Sequence, residues 1–241
     1  LVPRDIEVLK EEVKTIKEKL SDVDFINIPD LLSCDTRSWD GANIAKAYFD
    51  DVVPHLRAMD FDFTKELPIK DKLREYNIKE VLVVEGDPPQ SMLYQVYPTI
   101  STDIIKKFSE EMPEITVYAG IDQYRSSMKE EEYRIRRKQL AGAKGFFTQP
   151  FFDMRYLEMY ADLLDGLDIY WGVSPVLSER SVSYWRNKNN VIFPKDFEPT
   201  LEWNIEFARK VIEFARKHNH NVYLMPIKAK IMPYLEGVFA K

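Results

Sequence analysis

The 241 residues predict a single-domain α/β fold, a (β/α)8 barrel of the TIM type. Three observations carry this prediction. Short β-forming runs alternate with helix-forming stretches, eight strands in all if Leu1-Val2 is the tail of the first. No two strand-like runs follow one another as a hairpin, so the strands are parallel with right-handed crossovers. Polar residues gather where the strands end, the rim on which barrels of this kind build their sites. An open doubly wound sheet is the competing architecture, but no G-x-G-x-x-G follows an early strand to support it.

Asp5 caps a helix over residues 5–20, whose apolar positions Ile6, Leu9, Val13, Ile16 and Leu20 recur at steps of three and four. Residues 24–28 form a strand stopped by Pro29, followed by a polar loop holding Cys34, Arg37 and Trp39, then a short helix over 42–49. Residues 52–59 are a strand containing His55, and 64–76 a helix interrupted by Pro68. Residues 81–84 are a buried strand that must turn at Pro88-Pro89. Ser101-Thr102-Asp103 caps a helix to 111, and 115–119 is the next strand. A charged helix over 129–140 carries Arg136, Arg137 and Lys138. The sixth strand lies within 141–153, and holds Thr148 and Gln149 where an apolar run is expected. Such polar groups in a buried strand need a partner, from the protein or from a ligand. Then come a helix over 154–164, a strand over 168–173, a helix from 179, a long helix over 200–218, a strand over 221–225 and a last helix over 229–238. The chain opens within the first strand, so a few residues of that strand are expected upstream of Leu1.

With 34 basic and 40 acidic residues interspersed, the net charge of −6 argues against a general nucleic-acid binder. No apolar run can span a bilayer and no signal peptide opens the chain, so no membrane association is expected. The one cysteine, Cys34, cannot form an internal disulfide, which points to the cytoplasm. His218 and His220 lack the spacing of a metal site, and no metal is expected.

The strand ends deliver Asn27 and Asp30; His55, Arg57 and Asp60; Glu85 and Asp87; Asp122 and Gln123; Thr148 and Gln149; Ser174; and Lys228. The opposite ends receive helix caps. Asp87, a carboxylate beside Gly86 at a strand exit, reads either as a turn residue or as a ligand-facing acid. Arg136-Arg137-Lys138 reads as a solvated helix face or, turned to the rim, as a clamp for a diphosphate. The Tyr184-Trp185 pair and Trp203 read as packing. No Ser/His/Asp signature or P-loop is present.

The stretch Ala141-Gly142-Ala143-Lys144-Gly145-Phe146-Phe147-Thr148-Gln149-Pro150-Phe151-Phe152-Asp153 resembles a motif of the methylenetetrahydrofolate reductases. So do Val83-Val84-Glu85-Gly86-Asp87-Pro88-Pro89, Pro54-His55-Leu56 with Asp60, and Trp171-Gly172-Val173-Ser174-Pro175-Val176, in the family's order and across nearly the whole chain. The resemblance implies a barrel enzyme in which NADH or NADPH reduces FAD. The flavin then reduces 5,10-methylenetetrahydrofolate to the 5-methyl form, a step in one-carbon supply to methionine. It implies that Asp87 sits beside the flavin and bonds the pterin, and that Gln149 contacts the pterin and the nicotinamide in turn. His55, Gly86 and Ser101 match flavin-contacting positions, Arg137 and Lys138 the pair on the FAD diphosphate, and Lys228 an arginine on the substrate side.

The chain also departs from that pattern. Glu85 stands where many members carry arginine, Pro29 replaces a threonine, and Ile100 and Gly120 replace tyrosines. The family's general acid, a glutamate of the first strand, is expected just upstream of Leu1. Two further readings therefore stand beside the flavin reductase. One is a flavin-free reductase; the other is a non-catalytic folate-binding or accessory barrel subunit. A homo-oligomer is compatible with each.

Overall fold

The computed structural model describes residues 1–89, 91, 94–226 and 230–240. They form a parallel α/β fold, TIM-barrel-like in its alternation of strand and helix, in two compact units: residues 1–119 with 137–144, and residues 120–136 with 145–241.

The first unit contains α1 (Ile6–Lys19), β1 (Ile26–Ile28), α2 (Ser38–Ala45), β2 (Val52–Arg57), α3 (Lys70–Glu75), β3 (Glu80–Val84), α4 (Ser101–Glu111) and most of β4 (Thr116–Ile121). Its strands run parallel in the order β1-β2-β3-β4. Asp5 caps α1 as expected, accepting from the Glu7 and Val8 amides, and Leu9, Val13 and Ile16 are its buried stripe. Partners in a parallel ladder share a face, and successive residues alternate. The register therefore puts Ile26, Ile28, Val52, Pro54, Leu56, Val81, Val83, Val117 and Ala119 on one face. That face is apolar and buried, and α2 and α4 pack on this sheet. The other face carries Asn27, His55, Arg57, Glu80 and Tyr118, and the Tyr118 hydroxyl reaches Glu80 at 3.0 Å.

Three sequence expectations shift here. Helix α2 starts at Ser38, ahead of residue 42, because the Asp30 carboxylate, eight residues back, accepts the Ser38 N–H at 3.1 Å. Helix α3 is confined to Lys70–Glu75; Pro68 keeps the preceding turn out of it, and the Leu67 amide bonds Glu111 instead. Leu1-Val2 does not join the ladder: the Leu1 nitrogen donates to the Asn27 carbonyl at 2.7 Å, a single contact. Seven strands are thus formed among the described residues, and an eighth is not.

The second unit contains β5 (Gly145–Pro150), α6 (Met154–Leu163), β6 (Ile169–Val173), α7 (Glu179–Lys188), α8 (Leu201–His218), β7 (Asn221–Leu224) and α9 (Ile231–Phe239). Helix α5 (Met128–Ala141) contributes residues to each unit. Strands β5-β6-β7 are parallel and in chain order. Phe152, Val176, Val182, Trp185 and Val191 form a core cluster with Tyr124, Phe193 and Phe197 packed on it. Trp185 and Trp203 are packing residues as expected, Trp203 stacking on Phe207 at 5.2 Å. Among the described residues no helix is long and apolar enough to cross a membrane.

Candidate functional site

The polar strand ends of the first unit converge on a charged cluster. Arg37, from the loop after β1, donates to both oxygens of Asp30 and, at 2.8 Å, to Asp60. Asp60 also lies 3.8 Å from the Arg57 guanidinium. The Arg37 guanidinium stacks over Trp39, 4.3 Å from the ring centroid. Burial lifts the Asp60 carboxyl above its ordinary range, with Arg57 and Arg37 pulling against it. Two carboxylates and two guanidiniums balance, so Asp30, Arg57 and Asp60, all expected at the rim, answer one another. Arg37 is the member the sequence reading left in a loop.

Arg57 does a second job. Its Nη2 donates to the Asp87 carbonyl at 2.6 Å, pinning the turn that leaves β3. The Asp87 side chain is exposed. Gly86 has a positive φ of 88°, and a Cβ there would meet the Arg57 Nε at 2.9 Å and the Met59 Cγ at 3.2 Å. That glycine is required by how the Arg57 and Met59 side chains pack under the turn.

Glu85 faces α4. Its carboxylate accepts the Ser101 hydroxyl at 2.8 Å and the Ser101 amide at 3.2 Å. Ser101 does not cap its own helix as expected from the sequence; it is the first helical residue, and Glu85 takes the capping role across sixteen residues. Asp103 supplies the local half, accepting from the Ile100 amide at 3.1 Å.

His55 lies on the polar face of β2, its backbone carbonyl held by the Ser38 hydroxyl. The ring Nε2 is shut off from solvent. Burial holds the imidazole pKa down to about 3 from 6.5, so His55 is neutral at physiological pH. The unfolded chain then binds a proton that the folded one refuses between pH 6.5 and about 3. Stability therefore falls with pH across that window, at up to about 1.4 kcal/mol per unit. A His55→Gln variant is expected to lose this slope when unfolding free energies are compared between pH 7 and pH 5.

Arg137 is exposed, whereas Lys138, expected beside it as the other half of a clamp, is only 8 % exposed. Lys228 lies outside the described residues.

In the second unit, the polar pair on β5 divides its work. Register slips between Phe147 and Pro150, so three steps on β5 face two on β6. Thr148 repairs the gap: its Oγ1 accepts the Gly172 amide at 2.8 Å. The buried Gln123 donates to the Gln149 carbonyl at 2.7 Å, and the Tyr124 hydroxyl to the Pro150 carbonyl at 2.9 Å. A Cβ on Gly172 would fall onto the Thr148 and Gln149 carbonyls, so only glycine fits under the bulge. The Gln149 side chain projects into solvent. The sequence reading posed protein or ligand as the partner of both residues. Protein answers for Thr148, while the Gln149 side chain stays exposed.

On the same sheet Phe147 stacks on Tyr170 at 4.1 Å and meets Tyr223 edge-on at 5.3 Å. This aromatic ladder on three adjacent strands was missed from the sequence, although alternation within each strand carries the signal. Ser174, at 2 % exposure, has a hydroxyl with no partner among the described residues.

No family model matches the chain. A stretch of 147 residues is 22% identical to the 5,10-methylenetetrahydrofolate reductase of Buchnera aphidicola subsp. Schizaphis graminum (strain Sg). It covers 59% of this chain and 50% of that protein, so the chain matches about half the length of its curated relative. Among solved structures, an uncharacterized protein from Clostridium thermocellum that binds two copies of 5-methyl-5,6,7,8-tetrahydrofolic acid superposes with a TM-score of 0.61 at 13% identity. That likeness covers 97% of this chain and 86% of the other. The carboxyl transferase domain of Rhizobium etli pyruvate carboxylase follows at a TM-score of 0.57 and 9% identity, over 98% of this chain and 40% of that one. At such identities these structures speak for the fold alone. Motifs and sequence similarity agree on a divergent, methylenetetrahydrofolate-reductase-like chain.

Proposed function

We propose that the chain binds a reduced one-carbon folate and reduces its 5,10-methylene form to the 5-methyl form, with NADH or NADPH as hydride source. The observation that carries this reading is the Asp87 turn. Its backbone is fixed by Arg57 while its carboxylate stays exposed. A pterin presents an N–H and an amino group side by side, and a carboxylate is the acceptor pair that matches such an edge. The relative named as a methylenetetrahydrofolate reductase supports the substrate class, as does the folate-binding neighbour. The exposed Gln149 amide can donate and accept, which suits the carboxamide of a nicotinamide or the lactam of a pterin. The fold is read as one (β/α)8 domain in the cytoplasm.

The flavin that the resemblance implies fits poorly. Of the positions matched to it, Ser101 is spent on Glu85, and Gly86 packs on one side against Arg57 and Met59. The same closure favours a second reading, a folate-binding or accessory subunit without catalysis.

Two anaerobic measurements decide between them. Titration of 5-methyltetrahydrofolate, read by tryptophan fluorescence, is expected to saturate. Oxidation of NADH or NADPH is expected only when the methylene folate is added. Saturable binding without oxidation favours the accessory subunit, and absence of any folate binding sinks both readings.

A further inference from the structure

We infer that Glu85 occupies, as part of the fold, the place a flavin would need at the start of α4, and that this chain works without one. A helix N-terminus gathers unpaired N–H groups and a positive partial charge, and so attracts anions and polar ring oxygens. Here the end of α4 has no free invitation to extend. Ile100 at the N-cap brings no polar side chain. The Glu85 carboxylate instead takes the Ser101 amide and hydroxyl together, and Asp103 takes the Ile100 amide. A ligand approaching Ser101 would have to displace a carboxylate that already has two donors and a favourable dipole. It would then meet that displaced negative charge beside it.

The turn next to Glu85 is packed on one side as well. A Cβ on Gly86 would meet the Arg57 and Met59 side chains, and Arg57 is committed to the Asp87 carbonyl and to the carboxylate cluster. Ser101 itself is 1% exposed. These are independent contacts, from β2, the segment after β2 and the turn after β3, and they bear on the same two flavin-matched positions.

If the folate reading holds, reduction in a flavin-free chain is one direct step. The C4–H bond of the dihydronicotinamide breaks with its electron pair, and a C–H bond forms at the methylene carbon. The bond from that carbon to N10 opens, and N10 takes a proton from water. The products are oxidised nicotinamide, the 5-methyl folate and the hydroxide left by that water, so atoms and charge balance with no further oxidant or reductant.

The test uses the whole chain, titrated with FAD and with FMN by flavin fluorescence and visible absorbance. No saturable uptake of either is expected in the unaltered protein; one flavin bound per chain overturns the inference whatever the folate result. Glu85→Ala frees the Ser101 donors, and is expected to turn this absence of uptake into a measurable, saturable flavin titration. An equal lack of binding in both would remove Glu85 as the excluding group and overturn its assignment. A second arm rests on the folate reading and follows nicotinamide deuterated at C4. Direct transfer leaves the label in the methyl group, whereas passage through a flavin N5–H, which exchanges with water, washes it out. Loss of label overturns the direct step. Failure to bind folate overturns the function proposed above and leaves the flavin titration standing by itself.

Discussion

Replacing Arg37 by Met is expected to destabilise the protein by about 2–4 kcal/mol, measured by urea unfolding at neutral pH. The physical reason is what the substitution leaves behind. The Asp30 side chain is 1% exposed and the Asp60 side chain 14% exposed. Without Arg37, among the described residues Asp30 keeps the Ser38 amide and Asp60 keeps Arg57 at 3.8 Å. A buried charge stripped of its partner costs more than the pair was worth, because desolvation is no longer offset. The figure sits below the range for fully buried pairs because the Arg37 side chain is 34% exposed and partly screened by water. Three controls separate charge from packing. Arg37→Lys keeps the charge but loses the two-pronged geometry and the stack on Trp39, and is expected to fall between the two. The double change Arg37→Met with Asp30→Asn is expected to recover part of the loss, since an amide at position 30 is neutral. Acid is expected to shrink the difference between Arg37→Met and the unaltered protein, as the Asp60 carboxyl, already lifted by burial, protonates. A loss below about 0.5 kcal/mol would mark the cluster as a surface ion pair of ordinary weakness.

What the sequence disclosed and what it withheld follow from the range of each interaction. The start of α1 was readable because Asp5 and the amides it accepts are two and three residues apart. The strands were readable because a buried parallel strand is a run of Val, Ile and Leu whatever pairs with it. The starts of α2 and α4 were misread because their caps come from elsewhere: Asp30 reaches Ser38, and Glu85 reaches Ser101 from the end of β3. No local rule sees a carboxylate arriving from another element. The same limit applies to the site. Asp87 and Gln149 could be nominated as polar residues at strand ends, and both side chains are exposed in the fold. That Thr148 would be absorbed by a bulge, while its neighbour was not, depends on a register slip against Gly172. Resemblance matched Gly86 and Ser101 to a cofactor, yet no local rule shows that Glu85 bonds Ser101 or that Arg57 and Met59 pack against Gly86.

Asp87→Ala is expected to weaken 5-methyltetrahydrofolate binding by about 10- to 100-fold, the cost of losing a charge-assisted hydrogen-bond pair to the pterin. Thermal stability should be unchanged within about 0.5 kcal/mol, since the side chain is exposed and surface changes away from special features cost little. That separation makes the variant informative. Asp87→Asn offers a donor where the pterin also offers one, so it should bind nearly as weakly as the alanine. Arg57→Leu should behave differently. It frees the Asp87 carbonyl and removes a guanidinium from Asp60, so it should lose both stability and affinity. Its affinity loss would come from a turn that no longer holds the carboxylate in place, a positioning effect. Restoring charge with Arg57→Lys should recover part of the stability without the affinity, because one ammonium cannot serve the Asp87 carbonyl and Asp60 in the same geometry. If Asp87→Ala binds the folate as tightly as the unaltered protein, Asp87 is a turn residue before Pro88 and nothing more. The ligand must then be sought elsewhere, beginning with Gln149.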